Sequence, residues 1–299
     1  MNQSDLISGF KTFLKLEKSL ADHTIDAYLR DLNKLFSFLE IRNYSIVPEN
    51  VELLHLKEFI NWINELGLSA RSQARIISGI KAFYKYLLLE DVIETDPTTL
   101  LETPKIGRKL PDILSIEEID LLLSKIDLSK SEGQRNKAML EVLYSCGLRV
   151  SELIDLKLSN LYMDQGFVRV IGKGSKERLV PISKKAIREI ELYLPDRNNL
   201  PVIQKGNEDI LFLNRRGKKL TRVMVFTVVK RLVEVSGIKK NISPHTFRHS
   251  FATHLIDGGA DLRAVQEMLG HESILTTEIY THLDRHYLRD AIIRFHPRS

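Results

Sequence analysis

The chain has 299 residues, 43% hydrophobic and 28% charged, an ordinary globular composition that excludes a largely disordered protein. A single cysteine, Cys146, excludes an internal disulfide framework and a four-cysteine zinc site, and no run of eighteen apolar residues offers a membrane span. The net charge of +5 is uneven: residues 1–105 carry 12 basic and 15 acidic side chains, a net of −3, whereas residues 106–299 carry 32 and 24, a net of +8.

In chain order, the first hundred residues read as helix throughout. Leu6, Ile7, Phe10, Phe13 and Leu14 recur at helical spacing, as do Ile25, Tyr28, Leu29, Leu32, Leu35, Phe36 and Leu39. A third helix runs through His55–Asn64, and a fourth begins after Ser69 with Ile76, Ile77, Ile80, Phe83, Tyr84, Leu87 and Leu88. Four amphipathic helices with short connections make a small bundle, expected over residues 1–94. The stretch 95–114 contains Pro97, Pro104, Gly107 and Pro111 among the basic residues Lys105, Arg108 and Lys109, a density that denies helix and marks a linker.

From 115 to 299 the pattern is mixed α+β, so the expected whole is a multidomain, mainly α protein. Ser115 and Glu118 form a capping box, and helices fit about 115–125 and 134–145, the latter ended by Gly147. Phe167–Ile171, a glycine-flanked turn and Arg178–Ile182 read as a β-hairpin. A short strand Ile210–Leu213 precedes the basic turn Arg215–Lys219, and helices follow near 221–235, 244–257 and 261–269. The first ten residues lack the basic start and apolar core of a signal peptide, so a cytoplasmic protein with no membrane partner is expected. The basic second part points to a polyanion, most commonly nucleic acid.

The sharpest chemistry lies in Ser243-Pro244-His245-Thr246-Phe247-Arg248-His249. Pro244 suits the first helical position, which puts His245 and Arg248 on one face within the opening turns, where free backbone N–H groups favour a phosphate. His245 and His249 also have the i, i+4 spacing of a helical zinc pair, but no glutamate adjoins the first histidine, no third ligand is evident and His254 points off that face, so no metal is expected. Arg149 follows Gly147, placed to project into a cleft, and Lys173 sits at the hairpin tip. Beyond Leu269-Gly270-His271 comes Thr276-Thr277-Glu278-Ile279-Tyr280-Thr281-His282.

Taken in order, GLRVSEL, GKGSKERLVP, HTFRHSFATHL, LGH and TTEIYTH between Gly147 and His282 resemble the tyrosine recombinase (phage-integrase-like) family, most closely its bacterial Xer-type members and their XerD-like branch. The resemblance covers both domains and implies a helical core-binding domain followed by a catalytic domain. Carried onto this chain, the family's active-site pattern falls on Arg149, Lys173, His245, Arg248, His271 and the nucleophile Tyr280. It implies site-specific cutting and rejoining of double-stranded DNA through a 3′-phosphotyrosine, without nucleotide or metal cofactors. It further implies a tetramer of self or with a related recombinase, a role in resolving chromosome dimers at division, and a septum-linked DNA translocase as a possible partner. The tail, Asp290–Ser299 with Ala291, Ile292, Ile293 and Phe295, is expected to dock on a neighbouring protomer.

DNA contacts are expected at Arg71, Arg75, Ser78 and Lys81 on the fourth helix and at Lys176, Arg178, Arg215 and Lys218 in the second domain. Alternatives remain at this point: an integrase of a mobile element, a type IB topoisomerase, or a non-catalytic DNA-binding protein. Strand exchange between two duplexes separates a recombinase from a topoisomerase, and mere binding does not require Tyr280.

Overall fold

A computed structural model describes residues 3–105, 107, 112–172, 176–270 and 282–299, with the backbone alone for 282–286. The chain divides into two compact units, Met1–Lys109 and Leu110–Ser299.

The first unit consists of α1 (Gln3–Leu16), α2 (Asp22–Ile41), α3 (Leu53–Glu65) and α4 (Ala70–Leu89). Each helix buries one apolar stripe, and the stripes meet in an aromatic-rich core that includes Phe10, Phe38, Phe59, Phe83 and Tyr84. The Phe10 and Phe83 rings meet edge to face at 5.3 Å. Each such fully buried side chain contributes about 1.5–3 kcal/mol of transfer free energy. The fourth helix starts where the Ser69 hydroxyl accepts the Ser72 N–H at 3.3 Å. Leu101, within the proline-rich stretch, is buried in this first core, while Leu114 belongs to the second.

The second unit begins with α5 (Ile116–Ser124), whose capping box forms as expected from Ser115 and Glu118. There follow α6 (Gly133–Ser145), the short α7 (Val150–Ile154), and β1 (Leu161–Tyr162), β2 (Phe167–Ile171) and β3 (Glu177–Pro181) in one antiparallel sheet of order β1-β2-β3. In the hairpin Val168 pairs with Val180 and Val170 with Arg178, so these four side chains share the inward face. Then come α8 (Lys184–Asn198), α9 (Arg222–Ser236), α10 (Pro244–Asp257), α11 (Leu262–Leu269) and α12 (His282–Phe295).

One local reading changes, and two segments that the sequence left without an assigned element are helical. Ile210–Leu213 is no regular strand: Ile210 and Leu213 each form an isolated bridge, to Lys157 and Lys219, while Leu211 and Phe212 are buried. The helix α8 carries no clean apolar stripe in the sequence, because Glu189 and Arg197 are buried beside Ala186, Ile190 and Tyr193, and Pro195 occupies its last turns. The C-terminal segment is a helix packed on its own domain, with Leu288, Ala291 and Ile292 in the second core. Beyond it Arg298 is buried, ion-paired with Asp120 at 2.5 Å and with the fully buried Glu141 at 3.2 Å, its guanidinium 5.6 Å from the Tyr144 ring.

Candidate active site

Gly147 ends the turn after α6 at φ +56°, and a Cβ there would lie 2.4 Å from Phe251, so both conformation and space demand glycine. This turn delivers Arg149 to the N-cap position of α7. Three residues on, Glu152 is buried, accepts the Arg149 backbone N–H at 2.8 Å and takes the Arg149 guanidinium at 2.9 Å.

The α10 helix opens as expected at Pro244, with the Ser243 N–H donating to the Thr246 hydroxyl at 3.1 Å. His245 and His249 lie exposed on its surface, whereas Arg248 is buried. The Arg248 guanidinium donates to the carbonyls of Gly147 at 2.7 Å and Leu269 at 2.5 Å. Burial, with the positive charge of Arg149 next, pushes the Arg248 guanidinium down to about 10, so it stays charged at neutral pH.

The end of α11 gathers these side chains. Its last carbonyls have no intrahelical N–H partner and carry the negative end of the helix dipole. Arg178 donates to the Met268 carbonyl at 2.8 Å, Arg248 to Leu269, and Arg149 to Gly270 at 3.4 Å. Gly270 adopts φ +63°, the left-handed conformation that closes a helix. Arg178 also grips both Glu152 oxygens at 2.8 Å, and Arg248 lies 4.0 Å from the same carboxylate. Burial alone would raise the Glu152 carboxyl; hydrogen bonding and charge from Arg178, aided by Arg149, outweigh it and hold the group below its ordinary range.

The structure thus brings Arg149 and Arg248 together and places His245 one turn before Arg248 on α10. Lys173, His271 and Tyr280 lie outside the described residues. Arg178 is a correction: expected to touch DNA phosphate, it is only 7% exposed and its guanidinium is taken up by Glu152 and Met268. Its in-phase position with Val180 along β3 was the signal that it faces inward. Glu152 is the residue that motif reading passed over, although an acid three residues after Arg149 at the start of an apolar run carries the capping pattern.

Of the other expected DNA contacts, Arg71, Arg75 and Ser78 are exposed along α4 and Lys81 is half-buried, while Lys85 extends the exposed row. Lys176 is exposed beside the hairpin turn. Arg215 and Lys218 are exposed on a turn held by Asn214, whose Oδ1 accepts the N–H groups of Arg216 and Lys218 at 2.8 and 3.2 Å. Among the described residues no group of three His, Cys, Asp or Glu could hold a metal, and no helix is long and apolar enough to cross a membrane.

Residues 113–286 match the Phage integrase family, and residues 7–91 match the Phage integrase, N-terminal SAM-like domain. The chain is 43% identical over 294 residues to Tyrosine recombinase XerD of Staphylococcus saprophyticus, covering 98% of this chain and 99% of the relative. It is 46% identical over 296 residues to Tyrosine recombinase XerD of Chlorobaculum tepidum, covering 98% and 96%. Among solved structures, XerH site-specific recombinase bound to difH substrate in a pre-cleavage complex superposes with a TM-score of 0.68 at 26% identity, over 91% of this chain and 79% of that one. The chain belongs to the phage integrase family and is a tyrosine site-specific recombinase. Within that family its likeness is to XerD.

Proposed function

We propose that this recombinase cuts DNA with Tyr280 as nucleophile. The tyrosine oxygen bonds to the scissile phosphorus as the bond to the 5′ oxygen breaks, leaving the DNA 3′ phosphate on the protein. An ordinary tyrosine, with a pKa near 10, is protonated at neutral pH, and His245 takes its proton. Lys173 gives a proton to the departing 5′ oxygen. Arg149 and Arg248 hold the nonbridging oxygens, where charge grows in the transition state, and His271 adds a hydrogen bond. Because the phosphotyrosine conserves the bond, rejoining requires neither a nucleotide nor a metal.

The observation that carries this reading is the arginine cluster. Arg149, Arg178 and Arg248 set three positive charges against the single carboxylate Glu152, leaving an excess beside Gly270, the residue before His271. An excess of fixed, partly desolvated positive charge is what a phosphodiester transition state requires.

The DNA partner is a double-stranded recombination site, bound by a tetramer of this chain with itself or with a related recombinase. The XerH–difH complex supports DNA as partner. Full-length likeness to relatives named XerD supports resolution of chromosome dimers over a mobile-element role. A septum-linked translocase as trigger and the cytoplasm as location belong to the same proposal. The test begins by trapping protein on sheared chromosomal DNA and sequencing the covalently held fragments. A nicked duplex of the recovered sequence then gives a covalent adduct with the full chain and none with Tyr280→Phe, while binding is retained. An adduct of normal yield in the Phe variant overturns the assignment.

A further inference from the structure

The α2 and α4 helices cross closely. A Cβ on Gly79 would lie 3.5 Å from the Tyr28 ring, and one turn away Arg75 of α4 donates to the Asp31 carboxylate of α2. As the α4 number falls from 79 to 75 the α2 partner rises from 28 to 31, so the helices run antiparallel there. Asp31 is completely buried, on the same helix as the core residues Leu32 and Leu35. Its cationic neighbours both reach in from the surface: Arg75, whose side chain is 44% exposed, and Lys34 at 3.5 Å. Burial raises the Asp31 carboxyl against the opposing charges of Arg75 and Lys34.

A buried carboxylate contributes little net stability, since desolvation offsets its ion pairs. It does fix a direction. A free arginine side chain samples many rotamers and gives up about 2 kcal/mol of conformational freedom when ordered. Anchored through one terminal nitrogen, Arg75 is already ordered, nearly half exposed and set within the row Arg71, Arg75, Ser78 and Lys85. A guanidinium with one edge engaged and another presented is the group that reads guanine through paired hydrogen bonds. Its positive charge is largely answered by Asp31, so its contribution is directional more than electrostatic.

We propose that Asp31 is a positioning residue that acts through Arg75 to set the base preference at one position of the DNA half-site. The proposal rests on the reading of α4 as a DNA-contacting helix. It is tested with the full chain on a random 30-base-pair duplex pool, sequencing the bound fraction to obtain the preference at every position. Arg75→Ala should flatten one position by roughly tenfold or more, the discrimination of a paired arginine–guanine contact. Asp31→Asn and the volume-filling Asp31→Leu should flatten that same position, leave the others unchanged and, by freeing the Arg75 charge, raise rather than lower the salt dependence of binding. Either single change combined with Arg75→Ala should flatten no further position.

If Arg75→Ala flattens a position and the Asp31 variants do not, the positioning role is overturned while the α4 reading stands. If none flattens any position, α4 does not read bases, and the reading fails together with the proposal. If Asp31→Asn and Asp31→Leu both fail to fold, the carboxylate serves stability, which also overturns it.

Discussion

Each unit buries a carboxylate under surface-facing arginines, and the two differ in what they do with it. In the first, Asp31 holds one half-exposed arginine from a neighbouring helix. In the second, Glu152 is shared by Arg149, Arg178 and Arg248, and Arg178 is itself buried. The first arrangement presents a single side chain outward. The second builds a fixed positive cluster, because the same three arginines also satisfy three successive carbonyls at the end of α11. Removing the carboxylate should therefore have unequal consequences.

The largest effect is expected for Glu152→Ala. It leaves a buried arginine without its ion pair and three cations repelling one another, a change that costs about 3–5 kcal/mol. Thermal unfolding should show the second unit falling while the first holds, and the covalent adduct should be lost. Asp31→Leu, by contrast, should change stability by less than about 1 kcal/mol, because the cations it leaves, Arg75 and Lys34, are half exposed and no buried charge is stranded. Equal losses at both sites would erase the distinction between a shared and a single-partner carboxylate.

Next comes the C-terminal anchor. Neither Glu141 oxygen has a hydrogen-bond partner among the described residues, and Arg298 is the cation against it. Arg298→Ala should destabilise the second unit by about 2–4 kcal/mol at pH 8. The loss should shrink toward pH 5, because burial already raises the Glu141 carboxyl and a neutral acid tolerates burial better. A loss independent of pH would show that the anchor works by packing alone. Deleting 288–299 should be worse still, since it removes Leu288, Ala291 and Ile292 from the core. The C-terminal helix is thus a stabilising part of its own domain.

That tail shows where sequence reading ran out. The four N-terminal helices, the Ser115 cap, the hairpin and the Pro244 start were legible because each follows from local periodicity or a local cap. The α8 helix and the tail helix were not, because their apolar positions are few and interleaved with charges that only distant partners neutralise. Arg149 and Arg248, which the structure brings together, were legible as residue types in order, whereas the carboxylate that unites them was hidden inside the same motif as Arg149. Arg178 was misjudged because a basic residue near a turn resembles a phosphate contact until strand phase is counted.

Acid should separate the units. Burial first, then the Arg298 charge, pushes the His296 imidazole from 6.5 down to about 3. The unfolded chain then binds the proton more readily, so this group's contribution is complete above pH 6.5 and is lost as pH falls toward 3, at no more than about 1.4 kcal/mol per unit. The lowered Glu152 and Asp120 carboxyls lose stability in the same direction at lower pH. In the first unit the raised Asp31 carboxyl runs the other way: folding favours its protonated form, so acidification relieves it. The single tryptophan, Trp62, lies in the first unit against Phe38 at 5.4 Å and Phe59 at 6.1 Å. Its fluorescence should report an unfolding midpoint in urea that holds between pH 7 and 5, while circular dichroism shows the second unit weakening. Parallel loss by both probes would contradict the contrast.

The smallest effect sharpens the comparison within α4. Lys85 is exposed in the same row as Arg75, but no ion pair or hydrogen bond among the described residues fixes it. A lysine on a flexible stem is suited to a phosphate, not to a base edge. Lys85→Ala should leave stability and every base preference unchanged. It should lower the salt dependence of DNA binding by about one unit of slope, the release of one counterion. Arg75→Ala should do the reverse, changing one base preference with little change in slope, because Asp31 already answers most of its charge. The two variants therefore divide directional reading from charge attraction along a single helix face. If Lys85→Ala alters base preference, or if Arg75→Ala mainly lowers the salt slope, the buried carboxylate beneath Arg75 does not distinguish it from its neighbours.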